Sequence, residues 1–126
     1  MKFSFLRWLP FILCVSGVFY LSSQPGNTLG EEPFPHWDKA AHFCAFFVLI
    51  TCLGYAIGKK RICTRPKLCF LILIGFGILF GVSDEWHQSF VPNRDVSGYD
   101  LLADVSGSFV GALFVLRMFR SPIPKF

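Results

Sequence analysis

Asp38, Lys39, His42, Asp84, Glu85, Gln88, Arg94 and Asp104 are the residues of this chain whose types and positions could do chemistry. They offer carboxylates for general acid or base work, an imidazole that exchanges protons near neutrality, and cations that could hold a phosphate or carboxylate. All lie at or near the mouths of strongly apolar runs, where a charge is costly and calls for a partner or a task. The densest stretch is Ser83 to Asp104, SDEWHQSFVPNRDVSGYDLLAD, which carries five of the chain's eight acids.

Spacing sorts these residues. Asp38 and His42 are four apart and share a face if helical. Asp38 alone could equally be a cap for free N–H groups, whereas His42, about one turn inside an apolar run, wants a partner. Asp84 and Gln88 are four apart and Glu85 and Gln88 three apart, so both acids lean toward Gln88 if the helix continues. Acids at a helix C-terminus oppose the macrodipole, and that unfavourable placement points to function. Arg94 follows Pro92 in a loop, where it could neutralise the acids or fork onto a ligand, and Lys39 has the same two readings. Ser97 and Asp100 fit a capping-box pattern, which makes Asp100 a cap. Asp104 lies a turn deeper and needs a partner from Lys39, His42 or Arg94. The expectation is one polar pocket at one membrane face. Its candidate catalytic residues are Asp38, His42, Asp84, Glu85 and Asp104, with Lys39, Gln88 and Arg94 holding the ligand. His42, His87, Asp84 and Glu85 match no metal-binding spacing, so neither metal nor cofactor is expected. There is also no HExxH, no phosphate-cradling glycine loop and no Ser-His-Asp order to name a reaction.

The elements that must position these groups are apolar. Of 126 residues 53% are hydrophobic and 16% charged, sixteen are Phe, and mean hydropathy is +0.53. That is one domain's worth of chain with more apolar surface than a soluble domain can cover, so lipid is the expected solvent. Four segments approach the ~20 residues needed to cross a ~30 Å hydrocarbon layer. They predict helices over about 3–22, 38–58, 67–86 and 100–119, an all-α antiparallel bundle of four transmembrane helices. None alternates with period two, which argues against a barrel. The first segment lacks a small-residue cleavage site before Ser22-Ser23-Gln24-Pro25 and is expected to be retained. Gly77 and Gly81, and Gly107 and Gly111, form two GxxxG pairs that permit close helix contact, and Asp104 should face the same side as the second pair. The five cysteines form no CxxC and read as small apolar filler.

Charge placement orients the bundle. Lys2, Arg7, Lys59, Lys60, Arg61, Arg65, Lys67, Arg117, Arg120 and Lys125 fall on one side, and all eight acids on the other. By the positive-inside rule both termini are expected in the cytoplasm and the acidic loops outside. Spread over short flanks in this way, the net charge of +4 serves topology and not nucleic-acid binding.

With these residues in order, the chain resembles the VanZ-like family of small bacterial membrane proteins. The resemblance rests on Ser22-Ser23-Gln24-Pro25, on Asp38-Lys39 with His42, and on Asp84-Glu85 with Gln88 and Phe90. Pro92 with Arg94, and Asp104 with Gly107 and Gly111, complete it. Trp86-His87, Asp95 and Asp100 have no role in that pattern. The resemblance implies a multi-pass protein of the inner, or plasma, membrane and adds Gln24 to the ligand-binding candidates. The family's named member is associated with low-level teicoplanin resistance. Three functions fit: an enzyme on a lipid or lipid-linked envelope precursor, a non-enzymatic binding or shielding protein, and a charge cluster that only sets helix register.

Overall fold

Within a bilayer every main-chain polar group must be bonded inside the protein, and apolar helices meet that demand. In the computed structural model, which describes residues 5–28 and 30–120, four helices are long and apolar enough to span a membrane, and no strand occurs among the described residues. The first is α1 (Leu9–Ser22), entered through a 3-10 turn at Phe5–Trp8, with Pro10 in its first turn where a missing N–H costs nothing. It is followed by α2 (Trp37–Ile57), the short α3 (Lys59–Thr64), α4 (Pro66–Gln88) and α5 (Gly98–Phe119). Lys2, Phe3, Pro122, Pro124 and Lys125 lie outside the described residues.

Two boundaries differ from expectation in ways that matter. The basic connection expected as loop contains α3, which starts after Gly58 turns the chain at φ 91° and is pinned by Ile62, 2% exposed. The third spanning helix runs on to Gln88, two residues past the expected 86, so Asp84, Glu85 and Gln88 are all helical.

Consecutive spanning helices run antiparallel, as Arg7 near Tyr55 and Cys14 near Cys52 show for α1 and α2. The most extensive contact, however, is between α2 and α5, and these two are parallel: the backbone at Gly107 meets Phe43, Gly111 meets Phe47 and Ile50, and Gly54 meets Val115. A β-carbon on Gly107 would overlap the Phe43 carbonyl, and one on Gly111 would stand 2.9 Å from Phe47 O. Both GxxxG pairs are therefore used, since Gly77 and Gly81 on α4 receive Ser108 and Asp104 of α5. By contrast Gly75 faces open space, so Gly75→Ala should leave stability within about 0.5 kcal/mol or raise it slightly through better helix propensity. Detergent-solubilised protein titrated with sodium dodecyl sulfate and followed by circular dichroism measures this.

Ile50, Leu53, Ile62, Cys69, Leu73, Ala112 and Val115 form the apolar core toward the basic end of the bundle. Outside it the surface is apolar: Leu13, Phe19, Tyr20, Leu71, Leu79, Phe109 and Phe114 are exposed, as lipid-facing side chains should be. All five cysteines are free, with Cys14 and Cys52 facing each other at 3.6 Å.

Candidate functional site

Helix direction brings every acid of the spanning helices to one end. The C-termini of α1 and α4 and the N-termini of α2 and α5 meet there, and close approach through glycine lets short side chains touch across helices. Asp104 sits between α2 and α4 with no exposed surface, because Gly107 draws its helix against α2 and Gly81 leaves room on α4. Of its three possible partners it takes one: His42 Nδ1 stands 2.9 Å from Asp104 Oδ1. With Nδ1–H donating to the carboxylate, the Nε2 lone pair is left as the base. The His42 side chain is 14% exposed, so the pair is nearly sealed from the surroundings.

Glu85 comes from the facing end of α4 and is 7% exposed, yet neither of its carboxylate oxygens has a hydrogen-bond partner. The main-chain N–H of Ser97 faces it without reaching hydrogen-bond geometry. Asp104 Oδ2 is likewise unpartnered. Asp84 is satisfied: Ser22 Oγ donates to Oδ1 at 2.5 Å, and Gln88 Nε2 donates to Oδ2 at 2.9 Å. The i, i+4 pairing of Asp84 with Gln88 is thus present, while the Glu85–Gln88 contact is not, because Gln88 spends its second bond on Ser22 at 3.3 Å.

At the mouth of this cluster Lys39 pairs with its neighbour Asp38 and, at 2.9 Å, with Asp100 Oδ1, the latter as an ion pair without hydrogen-bond alignment. Asp100 is therefore not the cap its spacing suggested. Ser97 caps α5 by itself, accepting from Tyr99 N at 3.2 Å, and the Asp100 side chain is buried against Lys39. Asp38 is no side-chain cap either, since α2 starts after His36 in a left-handed conformation without a capping side chain.

Arg94 and Gln24 stand apart from the carboxylates. Arg94 Nε donates to Gln24 O at 3.1 Å and its terminal nitrogen to Leu21 O at 2.5 Å, which satisfies the free carbonyls at the C-terminus of α1 and favours the helix dipole. Gln24 donates its side chain to Tyr20 O. Gly26 N donates to Pro92 O, and a β-carbon at Gly26 would overlap Asn93 O. The Ser22–Pro25 and Pro92–Arg94 motifs are thus two halves of one clasp between α1 and the α4–α5 loop. Arg94→Lys, which keeps the charge but loses the fork, is expected to lower stability by about 1 kcal/mol, and Arg94→Ala by about 2. The same detergent titration reads both, and equal stability of Arg94→Ala and wild type would refute the clasp. His87 also leaves the cluster, bonding Ser23 Oγ at 3.0 Å and stacking on Phe19. Trp86 and Phe90 project outward edge to face, as aromatic residues do at a headgroup boundary.

Asp38, Lys39, His42, Asp84, Glu85, Gln88 and Asp104 lie together as a packed cluster with Lys39 and Asp38 as its partly exposed rim, while Arg94 and Gln24, also expected there, bond instead to the end of α1. Two clefts, of about 610 and 320 Å³, lie at the opposite, basic end, beside Ile62 and Arg117 and beside Ile57 and Arg65.

The family model for VanZ/LLP1 matches residues 5–120, from the entry into α1 to the end of α5. The chain belongs to the VanZ family. No curated protein and no solved structure matches it. For a VanZ-family chain, family membership and four apolar helices together make a multi-pass membrane protein. The residues that carried the resemblance divide in the fold into two groups. Asp38, Lys39, His42, Asp84, Glu85, Gln88 and Asp104 build the cluster, and Gln24, Pro92 and Arg94 build the clasp beside it. What sequence reasoning missed was Ser22, whose hydroxyl supplies one of the two hydrogen bonds to Asp84. Its place beside the apolar end of the first segment was the available signal.

Proposed function

We propose that this VanZ-family protein acts on a lipid or lipid-linked cell-envelope component at the outer leaflet of the bacterial plasma membrane. The observation that carries the reading is the buried His42–Asp104 pair, 2.9 Å apart at the end of a lipid-exposed bundle. A histidine oriented by a buried carboxylate is a general base, and its proton transfers are worth about 10²–10⁴ in rate. Outward orientation is supported by the positive-inside rule applied to the basic residues at the opposite end, Arg7, Lys59, Lys60, Arg61, Arg65, Lys67, Arg117 and Arg120. An anionic headgroup would meet the rim at Lys39, whose side chain is 31% exposed although held between two acids.

A second reading has its own support. Asp38 and Asp100 pair with Lys39, and Asp84 is hydrogen-bonded by Ser22 and Gln88, as in a non-enzymatic binding or shielding protein whose charges set helix register. His42→Gln and Asp104→Asn separate the two. Expressed in a teicoplanin-susceptible bacterium, the wild-type chain is expected to raise the inhibitory concentration of teicoplanin, and both variants to lose that effect at wild-type membrane levels. Variants that accumulate normally and protect fully would sink the catalytic reading. Wild-type protein without effect would sink the link to resistance.

A further inference from the structure

We infer that His42, Asp84, Glu85 and Asp104 form a binding site for one divalent first-row transition cation of the Mn2+/Zn2+ class. The fold brings one donor atom from each of these four side chains within 4.8 Å of the others. Four donors held about 2.1 Å from a tetrahedral ion stand about 3.4 Å apart, so closing the site takes up to about 1.4 Å of approach between the most distant side chains. Three carboxylates and one imidazole suit an ion that accepts both oxygen and nitrogen, more than the all-oxygen shells of Ca2+ or Mg2+.

The independent observation is Glu85. It is 7% exposed, contributes an oxygen to this group, and has no hydrogen-bond partner on either oxygen. Asp104 Oδ2, on a residue with no exposed surface, is in the same position. Buried polar atoms are almost always partnered, and orphaned carboxylate oxygens on two residues of one four-residue group call for a cation. The protein's own cations are committed elsewhere. Lys39 lies between Asp38 and Asp100, and Arg94 donates to the main-chain carbonyls of Leu21 and Gln24. With His42 neutral, as a metal ligand must be, the three carboxylates carry up to three negative charges, most of which one divalent ion would cancel.

Sequence spacing hid this site because it grouped His87 with His42. In the fold His87 turns to Ser23 and Phe19, and Asp104, twenty residues further along the chain from Asp84, takes its place. The inference goes beyond the proposed function and revises one part of it: a neutral imidazole has one lone pair, so with the ion bound His42 is a ligand and no longer a free base.

The test uses the full chain in detergent, without a polyhistidine tag, stripped with chelator and then dialysed. Mn2+ is titrated and followed by electron paramagnetic resonance, and Zn2+ retention is measured by mass spectrometry. About one ion per chain is expected for at least one of the two metals. Glu85→Gln and His42→Gln should each weaken binding ~10-fold or more. His87→Gln should bind as wild type. Pulsed resonance on wild type loaded with Mn2+, or with Cu2+ in place of diamagnetic Zn2+, should show one imidazole nitrogen, a readout that does not depend on any variant folding. Failure to retain either ion, unchanged affinity in Glu85→Gln, lost affinity in His87→Gln, or a nitrogen count other than one would each overturn the site. None of these results bears on whether His42 and Asp104 are required for the cellular phenotype.

Discussion

Lys39→Met is expected to lower the stability of the bundle by about 2 kcal/mol, between the cost of breaking an exposed pair and a fully buried one, because Asp100 is buried while the Lys39 side chain is 31% exposed. The reason is what the substitution leaves behind. Asp100, 4% exposed, has Lys39 as its ion-pair partner, and the ammonium also neutralises Asp38. Methionine matches the stem in volume, so packing is nearly conserved and the loss is electrostatic. The double variant Lys39→Met, Asp100→Asn should recover much of the loss, because it removes the stranded charge together with its partner. Unfolding by sodium dodecyl sulfate in mixed micelles compares the three proteins. If the double variant is as unstable as the single, the ion pair is not the source of the effect.

Gly107→Val should be more damaging, at about 3 kcal/mol, for a steric reason. Its β-carbon would overlap the Phe43 carbonyl of α2, a main-chain atom that no rotamer change can move. The two helices must separate, and that separation opens the 2.9 Å contact between His42 and Asp104, which lie one residue before Phe43 on α2 and about one turn before Gly107 on α5. The variant is therefore expected to lose both stability and any His42-dependent phenotype, with Gly75→Ala as the neutral control. Cysteines placed at 42 and 104 offer a direct geometric reading: they should crosslink readily in a wild-type background and poorly beside Gly107→Val. Equal crosslinking in both would show that the glycine does not set this approach.

The two substitutions probe different layers of one arrangement. Glycine fixes how close α2 and α5 come, and the charges then select partners within the space that closeness leaves. Ordering of this kind explains why the cluster is so short-ranged. His, Asp and Glu side chains reach only a few ångströms, so they meet across helices only where backbones nearly touch.

Much of this was legible without coordinates. The four spans follow from hydropathy and length, because a bilayer imposes both on any helix that crosses it. The segregation of acids from bases is equally a property of the chain. The pairing of Asp84 with Gln88 could be read from a spacing of four, since 3.6 residues per turn fixes that neighbour before any tertiary contact forms. What spacing could not decide is every contact made between helices. Asp104 had three possible partners and takes His42; Asp100 is Lys39's second acid where a cap was expected; Arg94 closes α1 and leaves the acids alone; Glu85 meets no side-chain donor. Those outcomes depend on helix rotation, on the parallel approach of α2 and α5, and on where missing β-carbons let backbones touch. Such quantities are set by side-chain volumes some sixty residues apart, and no local period of the sequence encodes them.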